Sequence, residues 1–301
     1  TADKIDIVGS ISADGAIVTL QPETAIDADA IDIGAVGDGT LATLELSAAE
    51  LDAITAATIR VGSTAAGAIT ITSAIDTQNT SAITLRAGGT VTQSAGAEIV
   101  EPTLVIISGD AVTLTDSDNN TATLAIDTTT GNIQYTDVNA FEVGAADTVS
   151  GVDTDSGVIT LTANTGDMTL NANVDSASSI TILSAAGGVV NQTGGAVIAE
   201  GLAVTAGGAV TLAQTGNDVN TVSIDTSTGD VQFTDTDGFN VGTVNGITGI
   251  DTDNGSVALI AKSGNLTVEN TAAGNDIEAT TTIAVTLEDN EGLLTIASSA
   301  D

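Results

Sequence analysis

The feature that most constrains this chain is a long internal repeat. The segment SIDTSTGDVQFTDTDGFNVG (223–242) matches AIDTTTGNIQYTDVNAFEVG (125–144), with eleven of twenty residues identical at an offset of 98 positions. The wider match pairs residues 87–170 with residues 186–268, and a one-residue deletion changes its offset from 99 to 98. Two long copies at a fixed offset predict a repeat architecture in which each unit stacks on its neighbours.

Short apolar segments of alternating character fill the chain between turn residues. Examples are AITIT from Ala68, AITLR from Ala82 and AVTLT from Ala111. Period-two alternation predicts strands with one face inward, and the spacing predicts about three short strands per ~20 residues. The sequence therefore predicts an all-β fold, a parallel β-helix (β-solenoid) with about 20 residues per coil, continuous over residues 1–301. At that coil size we expect about fifteen coils stacked at ~4.8 Å, or ~70 Å in length.

One short helical turn is predicted in the segment Ser47 to Ile54. Ser47 and Glu50 have the spacing of a capping box, and Leu51 and Ile54 follow at helical spacing. We expect this turn at a corner of a coil.

The charge balance restricts the classes of partner. The 301 residues include 40 acidic and only four basic side chains, for a formal net charge of −36. Because phosphates need basic side chains for neutralisation, we expect no nucleic-acid partner, and no run of ~18 apolar residues predicts membrane insertion.

The absence of cysteine and histidine restricts the chemistry. Disulfides, thiolate metal sites and Ser–His triads are excluded, which fits a polypeptide exported unfolded. The chain starts at Thr1 without a signal sequence, and we expect it to be a mature fragment of something longer.

The four aromatic residues obey the repeat. Tyr135 corresponds to Phe233 and Phe141 to Phe239, each at the 98-residue offset. Matched pairs predict core positions in two wide coils. Tyr135 is expected to be the nearest of the four to solvent, because its hydroxyl needs a partner.

Acidic pairs separated by one residue are the candidate metal ligands. Ca²⁺ takes six to eight oxygen ligands, and two residues at i and i+2 of an extended strand face the same side. The candidates are Asp116 with Asp118, Asp153 with Asp155, Asp235 with Asp237, and Asp251 with Asp253. Asp-rich turns are also ordinary turn chemistry, so a purely structural role stays open. No cofactor is expected to be required.

Carboxylate pairs and threonine pairs suggest two other functions. Carboxylate pairs could cleave a glycosidic bond in a polysaccharide lyase or hydrolase, but sugar-cleaving clefts use aromatic rings, and the four here are assigned to the core. Thr-x-Thr pairs such as Thr70 with Thr72 and Thr160 with Thr162 suggest an ice-binding ladder. Threonine is also common in strands because it is β-branched, so these pairs are equally expected in any β-solenoid. We expect a protein that is not an enzyme.

A resemblance to a known family is carried by several segments. ELDAITAATIRVG from Glu50 is followed by AGAITIT, AITLRAGGTVTQ and, later, FNVGTVNGITGIDT. These segments resemble the repeat regions of very large exported bacterial proteins of the filamentous haemagglutinin type, and the resemblance covers residues 5–268. It implies a right-handed parallel β-helix, export through a two-partner route and roles in adhesion, aggregation or biofilm.

The functional hypothesis is therefore a structural and adhesive rod segment of a large surface or secreted protein. We expect it outside the cell or on the cell surface of a Gram-negative bacterium, in contact with a host or neighbouring cell surface or with matrix glycans. The alternative is a self-assembling extracellular filament or sheath subunit, associating end to end or laterally, because the ends of a solenoid expose unpaired strand edges.

Overall fold

The computed structural model describes residues 4–22, 28–35, 39–40, 42–269, 276–289 and 291–297. The fold is an all-β parallel β-solenoid with about 22 residues per turn and a helix content of 2%. The predicted fold class is thus confirmed. The chain divides into two compact units, residues 1–155 (unit 1) and 156–301 (unit 2). One continuous solenoid over residues 1–301 stays a prediction.

The described part of unit 1 contains fifteen strands and one helix. In chain order they are β1 (Ile11–Leu20), β2 (Ala30–Ile33), β3 (Thr43–Leu46), α1 (Ala48–Asp52), β4 (Ile54–Gly62), β5 (Ile69–Ile71), β6 (Ala82–Ala87), β7 (Val91–Gln93), β8 (Val100–Ser108), β9 (Val112–Leu114), β10 (Asn120–Thr128), β11 (Ile133–Asp137), β12 (Phe141–Val143), β13 (Ala145–Ala146), β14 (Val149–Ser150) and β15 (Val152–Thr154).

Unit 2 contains eighteen strands within its described residues. They are β16 (Ile159–Ala163), β17 (Met168–Leu170), β18 (Val174–Asp175), β19 (Ile180–Ala185), β20 (Val190–Gln192), β21 (Val197–Ala206), β22 (Val210–Leu212), β23 (Asp218–Thr226), β24 (Val231–Asp235), β25 (Phe239–Val241), β26 (Thr243–Val244), β27 (Ile247–Thr248), β28 (Ile250–Thr252), β29 (Val257–Ala261), β30 (Leu266–Val268), β31 (Ile277–Ala279), β32 (Ile283–Leu287) and β33 (Leu294–Ile296).

The number of turns is smaller than predicted. The described residues form about 10 turns, so the expectation of about fifteen coils was wrong. The reason is that turns differ in length. Ile106 pairs with Ile126, 20 positions further along, whereas Ile126 pairs with Val152, 26 positions further along. The longer turn contains an antiparallel hairpin, β13–β14, that leaves the parallel ladder.

The core consists of aliphatic columns in which each turn places a residue over its counterpart. One column in unit 1 is Ile59, Ile83, Leu104, Leu124 and Val143, all fully buried and paired in register. Burying a side chain of this size contributes roughly 1.5–3 kcal/mol. A narrow core of Val, Ile and Leu therefore stabilises the fold without large aromatic residues.

Glycine is required where two turns meet at a corner. A Cβ on Gly109 would lie 2.1 Å from the carbonyl oxygen of Gly88, and one on Gly255 would lie 2.0 Å from that of Gly229. Backbone approaches this close exclude any side chain.

Hairpin β13–β14 covers part of the outer surface of unit 1. The outward residues Val105 and Ala125 are fully buried, because Val149 of the hairpin packs on them. At the hairpin tip, the Arg60 Nε donates to Asp147 Oδ2 at 2.8 Å, and the Thr84 hydroxyl donates to the same oxygen at 2.9 Å. The guanidinium holds the pKa of Asp147 below its usual range. The hairpin is thus attached by an ion pair and a small apolar cluster.

Hairpin β26–β27 occupies the corresponding place in unit 2, at the 98-residue offset. Its tip is Asn245–Gly246, with φ angles of 50° and 81°, which is the Asn-Gly pattern of a tight two-residue turn. Val244 packs against Gly201, where a Cβ would lie 3.0 Å from a Val244 methyl group. Asn245 replaces the Asp147 that anchors the first hairpin.

Buried side-chain amides connect neighbouring turns in both units. The Asn119 Oδ1 accepts from the Gln93 amide at 2.6 Å and from the Ile99 N–H at 2.8 Å. In unit 2, the Asn217 Oδ1 accepts from the Gln192 amide at 2.7 Å and from the Val197 N–H at 2.9 Å. Each Asn amide nitrogen also donates to main-chain carbonyls. The same buried network is therefore built twice.

The one helix of the described residues forms in the segment predicted for it. Helix α1 has Ser47 as its N-cap, with both hydrogen bonds of the capping box to Glu50, as predicted.

The four aromatic side chains form two pairs. The rings of Tyr135 and Phe141 meet edge to face at 5.4 Å, and those of Phe233 and Phe239 at 5.0 Å. All four side chains are buried, which confirms their core positions. The expectation that Tyr135 approaches solvent was wrong, because the hydroxyl finds its partner in buried Asp137 at 2.7 Å.

We predict that Asn217→Ala strongly destabilises the protein. The substitution removes the hydrogen bonds of Asn217 to the buried Val197 N–H and to the Leu212 and Thr234 carbonyls, and each buried group left unsatisfied costs about 1–3 kcal/mol. We expect a lower urea midpoint and faster amide exchange at residues 192–235. Asn191→Ala, which truncates an asparagine on the outer face, is the matched control and should leave the midpoint unchanged. Equal midpoints for the two variants would contradict a structural role for the Asn217 network.

Candidate functional site

The candidate pair Asp116 and Asp118 lies in a turn after β9 rather than in a strand. The Asp116 carboxylate accepts from the Gly96 N–H at 2.6 Å and from the Asp118 N–H at 3.0 Å. Asp118 is exposed. Asp116 therefore connects two neighbouring turns, and the same-side geometry expected of an extended strand does not apply to this pair.

The pairs beginning at Asp153 and Asp251 each start on a strand and end in a turn. Asp153 stacks in register on Asp127, and Asp251 stacks between Asp225 and Glu278. Burial raises the pKa of Asp251, and the neighbouring carboxylates raise it further. The second members, Asp155 and Asp253, are exposed. The carboxylates therefore gather along the ladder between turns as well as within the Asp251 and Asp253 pair.

Asp235 is a buried structural carboxylate rather than a surface ligand. Its Oδ2 accepts from the Val219 N–H at 2.9 Å, and its Oδ1 accepts from the N–H of exposed Asp237 at 3.1 Å. Burial raises the pKa of Asp235 to about 7, against the effect of these two N–H groups. A carboxyl group with this pKa holds a proton over much of the acidic range.

The corresponding carboxylate in unit 1 has one more hydrogen bond. Asp137 accepts from the Thr121 N–H at 2.8 Å and also from the Tyr135 hydroxyl at 2.7 Å. In unit 2, Phe233 and Val219 stand where unit 1 has Tyr135 and Thr121, so both hydroxyls are absent together. Burial raises the pKa of Asp137, and the phenol opposes that rise.

The described residues bring no group of three or more acidic side chains together in a way that could hold a metal ion. The eight aspartates named from the sequence are therefore distributed over turns and ladders, with Asp235 fully buried. Calcium binding by these aspartates stays a prediction.

A groove in unit 1 contains a carboxylate that sequence reasoning missed. Glu101 lines this groove, of about 390 Å³, together with Asp76 and Thr77. Its two oxygens accept from the Thr77 N–H at 2.7 Å and the Thr77 hydroxyl at 2.8 Å. Burial raises the pKa of Glu101 to about 6. Both oxygens thus hold the chain at Thr77.

A second groove in unit 2, here called the polar groove, is larger and more polar. It has a volume of about 540 Å³. Its side chains are lined up on strands β21, β23, β25 and β30 and on the turns before them: Glu200, Asn220, Thr221, Asp237, Phe239, Asn240, Asn265 and Thr267. The sequence pattern did not predict this groove, because its residues lie on four different turns.

The threonines do not form a uniform array on the described surface. In unit 1, Thr70, Thr92 and Thr113 stack in register, but Asp32 precedes them and Gln134 follows. In unit 2, Thr160 pairs with Ile182 rather than with another threonine. A flat ladder of the kind suggested for ice binding is therefore interrupted after three turns.

No family model, curated protein or solved structure matches this chain. The described residues also include no helix with the length and apolar character needed to cross a membrane.

We predict that Phe233→Tyr lowers the pKa of Asp235 by restoring the hydrogen bond that Asp137 has. In the folded wild type Asp235 keeps its proton to about pH 7, whereas an unfolded aspartate loses it near pH ~3.9. The folded state therefore binds more protons in this window, and the free energy of unfolding falls as pH rises through it. In Phe233→Tyr that fall should be smaller.

Carbon-13 titration of the Asp235 carboxyl group and urea midpoints between pH 4 and pH 8 would measure both effects. Tyr135→Phe is the reciprocal variant and should raise the pKa of Asp137, since it removes the phenol donor. An unchanged Asp235 titration in Phe233→Tyr, with the fold retained, would refute this account.

Proposed function

We propose that this chain is a non-enzymatic structural and adhesive segment of a large protein exposed outside a Gram-negative bacterial cell. The observation that carries the proposal is the use of the buried polar side chains. Five of them accept a main-chain N–H from a neighbouring turn: Glu101, Asn119, Asp137, Asn217 and Asp235. Groups that could perform chemistry are thus used to hold successive turns together.

The composition supports the same role. A parallel β-solenoid is compatible with a structural or adhesive repeat protein. The net charge of −36 keeps copies of the chain soluble and apart, and the absence of cysteine suits export of an unfolded polypeptide. The resemblance of residues 5–268 to filamentous haemagglutinin repeats favours an extracellular location and an adhesive role.

Adhesion can be tested with beads that carry the full chain. We expect these beads to be retained under flow on at least one of three surfaces: epithelial cells, Gram-negative bacterial cells and a glycan-rich matrix. Beads carrying Asn217→Ala, with the destabilised fold, should be retained less. Retention equal to that of albumin-coated beads on all three surfaces would overturn the adhesive part of the proposal.

A self-assembling filament or sheath subunit is the second candidate, and the exposed apolar side chains of strands β32 and β33 favour it. Strands β32 and β33 continue the inward columns of β29 and β30, with Ile283 on Val257 and Ile296 on Val268. Ile283 and Ile296 are nevertheless 47% and 71% exposed, unlike the buried residues they pair with. Either a further turn of the same chain or a second copy stacked on this apolar layer would cover it.

Sedimentation velocity with and without Ca²⁺ would test this second candidate. If copies stack, the wild-type chain should form larger species with increasing concentration, and Leu294→Asp with Ile296→Asp should abolish them. Gln232→Asp adds a charge on the exposed outer face of β24, away from the last strands, and should have no effect. A monomer at every concentration and Ca²⁺ level would count against a filament.

A further inference from the structure

The floor of the polar groove is a regular row of hydrogen-bonding side chains. Thr221 pairs in register with Asn240, and Asn240 pairs in register with Thr267. Neighbouring strands lie ~4.8 Å apart, so the floor presents a hydroxyl, an amide and a second hydroxyl at that interval. The row runs across the strands, from one turn to the next.

The rest of the lining adds oriented amides and carboxylates. The Asn220 amide donates to the Glu200 carboxylate at 2.7 Å, and the Asn265 carbonyl oxygen accepts from the Leu293 N–H at 2.9 Å. These contacts hold two of the polar side chains in place. The amide of Asn240, in contrast, has no hydrogen-bond partner among the described residues, and it lies in the middle of the floor.

The combination of groups indicates what class of ligand the groove would take. Amides, hydroxyls and carboxylates supply both donors and acceptors, as the paired hydroxyls of a sugar require. No lysine or arginine lines the groove, while Glu200 and Asp237 make it negative. Anionic ligands are therefore repelled. Phe239 is 2% exposed, so recognition would depend on hydrogen bonds rather than ring stacking.

We propose that the polar groove binds a neutral, extended oligosaccharide along the row Thr221, Asn240 and Thr267. The rings of an extended β-linked glycan repeat at an interval close to the spacing of strands, so successive rings meet successive turns. This proposal deepens the adhesive role proposed above by naming a ligand class and a site for it.

The first copy of the repeat keeps the two threonines of the row, as Thr123 and Thr169, but lacks its amides. The positions 98 residues earlier than Glu200, Asn220 and Asn240 are Pro102, Ala122 and Glu142. The amides and one carboxylate of the groove are thus specific to the second copy. A requirement of the fold itself would be expected in both copies, so the difference favours a ligand.

The test is titration calorimetry of the full chain with cellohexaose, chitohexaose and a heparin hexasaccharide. We expect at least one of the two neutral oligomers to bind and heparin not to bind. Asn240→Ala should weaken binding about fivefold, as for the loss of one hydrogen bond of about 1 kcal/mol. Asn191→Ala, on a different column of the same unit, should bind like the wild type, and equal thermal midpoints would show that both variants fold.

Several outcomes would overturn the proposal. They are no saturable binding of either neutral oligomer, tighter binding of heparin than of both, or equal loss in Asn240→Ala and Asn191→Ala. The bead experiment separates this site from the adhesive role. Retained adhesion without sugar binding refutes the groove alone, whereas sugar binding without bead retention refutes adhesion and leaves the groove as a binding site.

Discussion

The structure depends on register between successive parallel strands. Once Leu104 pairs with Leu124, every outward and inward position of β8 and β10 is determined, because side chains alternate along a strand. A shift by one residue would move Leu124 outward and place Ala125 in the core. The backbone ladder alone does not prevent such a shift. The buried side chains at the corners do, since Asn119 can reach the Ile99 N–H and the Gln93 amide in only one register.

Sequence pattern predicted the fold class, the helix and the aromatic core because these depend on local periodicity and on the repeat. The capping box of Ser47 and Glu50 is a local signal, and so is the alternation in AITLR. The number of turns could not be predicted in the same way. Hairpins β13–β14 and β26–β27 look like ordinary alternating segments in the sequence, and only the coordinates show that they leave the ladder.

The sites were less predictable because they are assembled from distant turns. Asp235 and Asp237 are separated by a single residue in the sequence, yet one is fully buried and the other is exposed. Glu101 has no local sequence signal, because its partner Thr77 is 24 positions away. One signal was present, however. Comparing the two copies shows that the hydroxyls of Tyr135 and Thr121 are both absent in Phe233 and Val219, and in the structure the Tyr135 hydroxyl and the Thr121 N–H donate to the same carboxylate of Asp137.

The two hairpins also show how a single turn of a solenoid can contain extra residues without disturbing the turns next to it. At the base of the first, the Gly151 N–H donates to the Gly144 carbonyl at 2.8 Å; at the base of the second, Gly249 donates to Gly242 at 2.7 Å. Each hairpin is therefore closed by its own hydrogen bond, and the ladder resumes directly after it at Val152 and Ile250. Additional residues at the Asn245–Gly246 tip would extend into solvent beyond that closed base. The tip is consequently a position where a peptide could be displayed on this scaffold while the aliphatic columns beneath keep their order.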